Sequence, residues 1–508
     1  MRSHARLLES VSIWLVSVPE TDRNWECAAA ADRFANRRRH CLRHLPIRKQ
    51  NTVLKPAVRR QFLLAALALG TKLQAQIVVE SPVEVTDSCA QEPSGETPEE
   101  SSGAVPEFWS RSQLTGDWNG HRDRLEESGV TVSFGMTHVF QGVASGGLDG
   151  PLFPLLSDEG DTGNTLGGDL GFEIDTSSAG WWEGGLLKTQ LQARTGRSIL
   201  ERAGTVAAVN NEAVFPIVLD RFDGDAFAIT ELTYEHSLDE SVSIVGGLMN
   251  TSLGDENAIA GSALSHSHFL NFAMLYSMVE DATVPHSALG AGVNLAPSDS
   301  ISGSFSVFGS AETAGENPFD LWNGTTFSTE WTVDHTVFDH DGAQTAGVLY
   351  GINARRTDIT ADPRLVLISI LTGVPIPTTE ADTWAFYYNA HQFLQGDEDR
   401  GWGLFTRFGI SDGNPNLVRW NWAGGIGGVG LLPNRLEDSW GAGTFVVNLS
   451  DEDLLRGLGI TRETGAECYY NFQVSPAVHI TLDAQVIESG LPRTDTTCVF
   501  GVRTHLDF

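Results

Sequence analysis

The chain has 508 residues, with 65 acidic and 33 basic side chains and a formal net charge of -32. This length fits either two or three soluble domains or one large barrel. Fourteen of the basic residues fall within residues 1–75, so the rest of the chain is still more acidic. This acidic part would repel nucleic acid, because a protein binds nucleic acid by neutralising its phosphates. We therefore expect no nucleic-acid partner.

Residues 1–75 form a basic leader with a predicted signal peptide. A pair of arginines and an apolar run occupy residues 59–70, and small residues follow. The run is far shorter than the ~20 residues that a membrane-spanning helix needs, and its flanks are typical of a secretory signal. Signal peptides rarely carry so long a preface. We therefore expect the true start near Val53 or Val58, with an extended leader as the alternative.

The next segment, residues 76–106, is predicted to be a disordered acidic linker. It holds seven acidic side chains, no Lys or Arg, and many Ser, Pro and Gly residues. Such a composition cannot bury enough apolar surface to fold. The predicted folded domain therefore comprises residues 107–508.

Few helices are expected in this domain. A short helix is predicted near its start, capped by Asp117 or Asn119 and ending near Ser128, with Gly129 as the stop. Short helical turns are expected near residues 451–458.

His266 and His268 have the spacing of one strand face, and we expect them to form an ordinary surface pair.

Period-two alternation dominates the rest of the domain and is clearest in its last 43 residues. In residues 466–474, one face carries Ala, Cys, Tyr, Phe and Val, and the other carries Glu, Tyr, Asn and Gln. Residues 478–486 and 498–508 repeat this pattern, which predicts three strands of about ten residues. The alternation recurs upstream at residues 130–136, 169–175, 187–194, 384–391 and 402–410.

The alternation fits either a soluble β-sandwich or a membrane barrel with its apolar face toward lipid. Strands of about ten residues, apolar faces that end in aromatic residues, and a last strand ending in Phe508 favour the barrel. About 400 residues at roughly 25 per strand and connection predict an antiparallel transmembrane β-barrel of about 16 strands, wide enough for an aqueous channel. The predicted aromatic girdle comprises Trp181, Trp182, Trp384, Trp402, Trp420 and Trp422.

Three cysteines lie beyond the leader, Cys89, Cys468 and Cys498, and their spacing fits no metal site. The last two lie on apolar strand faces with one strand between them. Two strand spacings separate them by roughly 9.6 Å, too far for a disulfide. We expect both to be thiols that face lipid.

Four segments resemble the carbohydrate-selective porin family of the OprB type. LTGDWNGHRDRLEESGVTV (residues 114–132) resembles the family's opening motif, and RGWGLFTRFGISDGNPN (400–416) resembles one of its strands. GGIGGVGLLPNRLEDSWGAG (424–443) resembles its glycine-rich stretch, and ETGAECYYNFQVSPAVHITLDAQVI (463–487) its penultimate strands. The resemblance implies a monomeric or trimeric barrel, a short periplasmic helix before the first strand, and diffusion of sugars through the lumen. Asn119, His121 and Asp483 depart from the family's pattern.

A sugar channel needs polar side chains that replace part of the solute's hydration shell without holding it tightly. We expect no catalytic group, no cofactor and no metal; the His and Asp residues of DHTVFDHDG (334–342) lack a standard ligand spacing and are interpreted as a loop. The substrate-binding residues predicted to line the pore are Glu173, Lys188, Gln190, Arg194, Glu231, Arg407, Arg419 and Arg503.

The predicted partners are sugars as solutes, outer-membrane lipid and lipopolysaccharide, and the barrel-assembly machinery, which would recognise Phe508. The predicted location is the outer membrane of a Gram-negative bacterium. Two other functions stay open from the sequence. One is a general or cation-preferring pore, because the acidic domain would attract cations. The other is a secreted all-β protein that binds polysaccharide.

Overall fold

The computed structural model describes residues 108–148, 160–214, 223–311, 314, 324–353, 356–357, 379–380 and 382–508. The leader, the acidic linker and Cys89 lie outside these residues.

Sixteen strands of 9 to 18 residues form a closed antiparallel barrel. Each strand pairs with its neighbour along the chain, and β1 pairs with β18 to close the ring. The number and direction of the strands confirm the predicted barrel. The first nine are β1 (Val130–Gly147), β2 (Thr162–Asp175), β3 (Gly185–Arg197), β4 (Asp223–Ser237), β5 (Val242–Asn250), β6 (Ser287–Ser298), β7 (Ile301–Gly309), β8 (Thr325–Val337) and β9 (His340–Ile352).

The remaining strands follow a separate two-stranded sheet, formed by β10 (Arg356–Thr357) and β11 (Thr379–Glu380). Strand β9 pairs directly with β12, so this small sheet belongs to the connection between them. The last seven barrel strands are β12 (Thr383–Gly396), β13 (Gly401–Ser411), β14 (Val418–Val429), β15 (Ser439–Leu449), β16 (Arg462–Ser475), β17 (Val478–Glu488) and β18 (Asp495–Asp507).

The predicted alternation places apolar side chains outside and polar side chains inside. On β16, Cys468 is exposed whereas Glu467 is buried. Phe305 and Phe327, on the outer face of β7 and β8, are 51% and 48% exposed. Such a large apolar exterior needs lipid or another apolar partner around it. Among the described residues, no helix is long and apolar enough to span a membrane.

The predicted girdle and the two strand cysteines can be located on this exterior. Five of the six girdle tryptophans are exposed, and Trp420 is half-buried. Cys468 pairs in register with Ala484, and Cys498 with Val486, on the two sides of β17. Both cysteines are free thiols, as predicted.

The two ends of the barrel differ in the length of their connections. At one end, here called the turn end, short connections such as residues 299–300 and 476–477 join the strands. At the other, the loop end, the connections include residues 198–222 and 251–286. Short periplasmic turns and long external loops are usual in outer-membrane barrels.

The predicted N-terminal helix is α1 (His121–Glu127), and Gly129 follows it with a φ of +78°. The predicted cap is wrong: Gly120 occupies the N-cap position and no side chain caps the helix. Asp117 accepts a hydrogen bond from the Asn119 backbone instead. The other α-helices of the described residues are α2 (Leu200–Ala203), α3 (Asn211–Val214), α4 (Phe272–Leu275), α5 (Met278–Asp281) and α6 (Asp453–Leu458), and short 3-10 helices occupy Phe108–Ser110 and Thr251–Leu253. Helix α6 matches the predicted helical turns.

The segment before α1 packs against the end of β18. Leu114 donates its backbone N–H to the Asp507 carbonyl oxygen at 2.8 Å, and Arg122 donates from Nη2 to the Phe508 carbonyl oxygen at 2.8 Å. The Arg122 guanidinium also lies 4.5 Å from the centre of the Trp118 ring. We call residues 114–122 the N-terminal clasp. Its position gives the opening sequence motif a structural role at the seam where β1 meets β18.

Candidate functional site

The inner surface of the barrel consists of two unequal walls. On β9, β12–β18 and β1, most described inward-facing side chains are buried. On β2–β8, many inward-facing side chains, such as Ser304 and Ser306 on β7, remain partly exposed. We call these the covered wall and the open wall. The difference arises because two loops from the loop end fold into the barrel and pack mainly against the covered wall.

The first inward loop, described over residues 198–214, is held at both ends of its path. Glu463 on β16 accepts the backbone N–H groups of residues 206 and 207 at 2.6 and 2.8 Å. Arg194 on β3 forms ion pairs with Asp169 at 3.1 Å and with Glu212 of α3 at 3.2 Å. Hydrogen bonds to a charged partner are stronger than neutral ones. These contacts therefore fix the first inward loop to β16 of the covered wall and to β3 of the open wall.

The second inward loop, residues 251–286, is held by an acid and a base on neighbouring parts of the covered wall. Glu467 accepts the backbone N–H groups of residues 270–271 at 2.6 and 3.0 Å. Arg503 on β18 donates to the carbonyl oxygens of residues 268–269 at 2.5 and 3.2 Å. Each side chain thus satisfies the polar backbone of a buried loop that has no regular partner strand.

Arg407 holds the same loop further along its length. Its guanidinium forms an ion pair with Asp255 and donates to the carbonyl oxygens of Asp255, at 2.7 Å, and Gly261, at 2.6 Å. The Asp255 backbone donates to Glu330 on β8 at 3.1 Å, and the Tyr387 hydroxyl donates to the same carboxylate at 2.6 Å. The loop is therefore joined to strands from both walls.

Apolar side chains fill the space between the second loop and the covered wall. The Phe269 ring lies 5.4 Å from Phe405 and 4.8 Å from Tyr469, measured between centroids. Met274 and Val279 are fully buried in the same cluster. Full burial of one such side chain stabilises by roughly 1.5–3 kcal/mol. This part of the lumen is thus a packed core rather than a water-filled space.

The two histidines that were predicted to share a strand face lie in the second inward loop, so that prediction is wrong. The His266 ring stacks on His505 of β18 with centroids 4.1 Å apart, and its Nδ1 lies 3.1 Å from Glu212. Two residues along the chain, the His268 carbonyl oxygen accepts a hydrogen bond from Arg503. Alternation over three residues cannot distinguish a strand from an irregular loop, which explains the error.

The open wall presents small hydroxyl groups, amides and carboxylates to the remaining lumen. Partly exposed inward-facing residues occur on four consecutive strands, β5 to β8, and most of their side chains are small. Hydroxyls and carboxylates can exchange hydrogen bonds with the hydroxyl groups of a solute. These residues are Ser243, Asn294, Ser302, Ser304, Ser306, Ser328, Glu330 and Thr332.

Four of the eight predicted pore-lining residues meet on the open wall near the turn end. Glu173 on β2 is in register with Lys188 on β3, and Gln190 is in register with Glu231 on β4. Glu173 is exposed and the other three are half-buried. The Glu231 carboxylate accepts a hydrogen bond from Thr233 at 2.9 Å.

The four predicted arginines have different positions. Arg194, Arg407 and Arg503 face inward but are at most 2% exposed, because their guanidinium groups hold the loops described above. Arg419 is half-buried and donates to the carbonyl oxygens of Ser411 and Asp412, in the connection between β13 and β14. The sequence shows that these side chains are inward or polar, but it does not show which partners surround them.

Sequence reasoning missed Glu463 and Glu467 as loop-holding residues. Both lie on the polar face of the predicted β16, which was the available signal. Their partners, however, are backbone N–H groups about 200 to 260 residues away in irregular loops. No residue pattern marks such a partner in advance.

A closed barrel of 16 antiparallel strands with an apolar exterior and inward-folded loops defines a porin-type channel. Residues 164–508 match the carbohydrate-selective porin, OprB family, and the chain belongs to that family. The high-pH structure of Pseudomonas putida OprB is similar at 20% identity and a TM-score of 0.66, over 79% of this chain and all of that one. The low-pH structure matches at 16% identity and 0.50, over 78% and 99% of the two chains. No curated protein sequence matches the chain significantly.

Proposed function

We propose that the chain is an outer-membrane porin through which mono- and small oligosaccharides diffuse passively along the open wall. The observation that carries this proposal is the row of hydroxyl, amide and carboxylate side chains that remains partly exposed on β5–β8. Sugar hydroxyls can exchange hydrogen bonds with such a row. Passage requires binding that is weak enough to reverse, and no catalytic step is involved.

Seven of the eight predicted site residues divide into two roles in this proposal. Glu173, Lys188, Gln190 and Glu231 contact the solute, because they remain accessible on the open wall. Arg194, Arg407 and Arg503 position the inward loops, and these loops narrow the lumen. Arg419, bound to a connection at the loop end, is assigned to neither role.

Several predicted partners belong to the same proposal. The exposed apolar side chains of the exterior fit the hydrocarbon region of an outer membrane, with the loop end outward. They also argue against a secreted soluble polysaccharide-binding protein. Contacts with lipopolysaccharide, recognition of Phe508 by the assembly machinery, and a monomeric or trimeric state remain predictions.

Liposome swelling tests the proposal. The chain from residue 76 onward, folded in detergent and checked by its heat-modifiable migration, is reconstituted and exposed to mono- and disaccharides, amino acids and salts of matched size. Faster swelling with sugars supports a carbohydrate-selective channel. Equal swelling with all solutes would reduce the function to a general pore, and no swelling by the folded protein would remove the channel.

A further inference from the structure

The inward-facing arginines of the barrel contribute little to the charge exposed on the open wall. Arg194, Arg407 and Arg503 are buried against carboxylates and loop carbonyl groups. Their positive charge is therefore already balanced at close range. Lys188 is the basic residue that remains partly exposed on the described inward face of β2–β8.

Three carboxylates lie on the two strands beside this lysine, β2 and β4. Glu173 is its register partner on β2, and Glu231 lies within electrostatic range of Lys188, Glu173 and Glu235. Glu235 accepts hydrogen bonds from the Ser243 hydroxyl and from the Asn294 amide at 3.1 Å. Both donors are neutral, so they orient the carboxylate without cancelling its charge. We call Glu173, Glu231 and Glu235 the acidic row.

We propose that the acidic row makes this channel discriminate among sugars by charge, passing neutral and amino sugars and rejecting sugar acids and other anionic solutes. The inference rests on the proposed sugar channel and names its substrate class more closely. An anion that follows the open wall must pass three carboxylates facing one ammonium group, while the packed loops block a path along the covered wall. A lumen lined by charges of one sign concentrates ions of the other sign and repels its own.

The hydrogen-bonding chemistry favours the same class. Carboxylates accept hydrogen bonds from sugar hydroxyl groups and from an ammonium group, but they cannot donate to a second carboxylate. The carboxylate of a sugar acid would therefore lose hydration at the acidic row and meet one ammonium group, Lys188, against three carboxylates. A neutral sugar of equal size keeps its full set of hydroxyl donors.

Tracer efflux from liposomes loaded with labelled glucose, glucosamine or glucuronate tests this proposal at matched solute size. We expect glucuronate to leave about tenfold more slowly than glucose, a difference of ~1.4 kcal/mol in barrier height, and glucosamine at least as fast as glucose. The double substitution Glu231→Gln with Glu235→Gln keeps the oxygen acceptors for Thr233, Ser243 and Asn294. It should raise the ratio of glucuronate efflux to glucose efflux several-fold, whatever its effect on glucose alone.

The control pair Glu240→Gln with Glu437→Gln removes the same charge from turns outside the lumen and should change neither rate. Lys188→Gln should slow glucuronate further. Equal efflux of glucose and glucuronate from the wild-type protein would overturn the proposal, as would a Glu231/Glu235 variant that behaves like the control pair. Absence of glucose efflux would instead overturn the proposed sugar channel itself, so the two failures are distinguishable.

Discussion

Strands β13 and β7 show the contrast between the two walls. Both alternate apolar outward and other residues inward, but β13 points Phe405 and Arg407 into the barrel, whereas β7 points Ser304 and Ser306. The long side chains reach the second inward loop and are buried beneath it. The serines are too short to reach it and remain partly exposed. On these two strands, therefore, the long inward side chains hold a loop and the serines are left for the solute.

This contrast changes how inward charged residues of a barrel are interpreted. An inward arginine is a natural candidate for solute binding, yet Arg194, Arg407 and Arg503 are consumed by loop contacts. Their burial is tolerable because each guanidinium group meets carboxylate or carbonyl partners. A polar strand face thus predicts which side chains point into the barrel. Their contacts decide whether they hold a loop or remain accessible to the solute.

The substitution expected to have the largest effect is Arg407→Ala on the covered wall. It leaves the buried Asp255 carboxylate without its ion-pair partner, and breaking a buried pair in this way costs ~3–5 kcal/mol. We expect a lower free energy of unfolding in detergent and a higher single-channel conductance, because the second inward loop loses its anchor. The matched control is Arg456→Ala, whose ion pair with Asp451 is exposed. Unchanged conductance in a destabilised Arg407 variant would mean that other contacts suffice to hold the loop.

A substitution in the N-terminal clasp tests whether the clasp stabilises the junction between β1 and β18. Arg122→Ala removes a hydrogen bond from a charged donor to the Phe508 carbonyl oxygen and the contact with Trp118. We expect a loss of ~2 kcal/mol in the free energy of unfolding and easier proteolysis at the turn end, with unchanged sugar flux. Arg124→Ala, two residues away on the exposed side of α1, is the control. Equal free energies of unfolding for the two variants would show that the clasp does not stabilise this junction.

A bulky side chain on the open wall should act on transport rather than on stability. Ser304→Trp places a large ring beside Asn294 and Glu330 on the neighbouring strands. We expect sugar efflux to fall about tenfold, ~1.4 kcal/mol in barrier height, with little change in unfolding. Val307→Trp adds a ring of the same size to the lipid-facing side of β7 and should leave efflux unchanged. If both variants conduct normally, the solute does not follow this wall.

The smallest expected effect lies at the turn end, between β14 and β15. Burial would raise the pKa of the Asp438 carboxyl, but hydrogen bonds from Arg435, Tyr470 and the Gln473 backbone lower it below its ordinary value. A carboxyl with a lowered pKa contributes stability above its unfolded pKa and loses it as the pH falls through the folded value. Asp438→Asn should therefore cost ~1 kcal/mol at pH 7, and this cost should shrink as the pH falls through the lowered pKa of Asp438. Thermal unfolding at pH 7 and at progressively lower pH measures the change, with Glu437→Gln as the exposed control.

The sequence was sufficient for the barrel because the signal is local. Alternation in residues 466–508 gave three strands with the correct inward and outward faces, and β16–β18 occupy these positions. The opening motif was recognised without a role, which only its contact with Phe508 supplied. The cap of α1 was misjudged because Gly120, rather than a side-chain acceptor, begins the helix.

The amino-acid sequence by itself determined the strand pattern, the apolar exterior and the family of this protein. Periodicity along one strand contains that information, since each residue's face depends on its position in the pleat. Only the tertiary structure decided which inward side chains remain accessible in the lumen. The loops of residues 198–214 and 251–286 cross the lumen and bind side chains such as Glu467, far away in the chain. Contacts between such distant, irregular segments have no local period, so the open wall emerges only when the barrel is closed and the loops are packed.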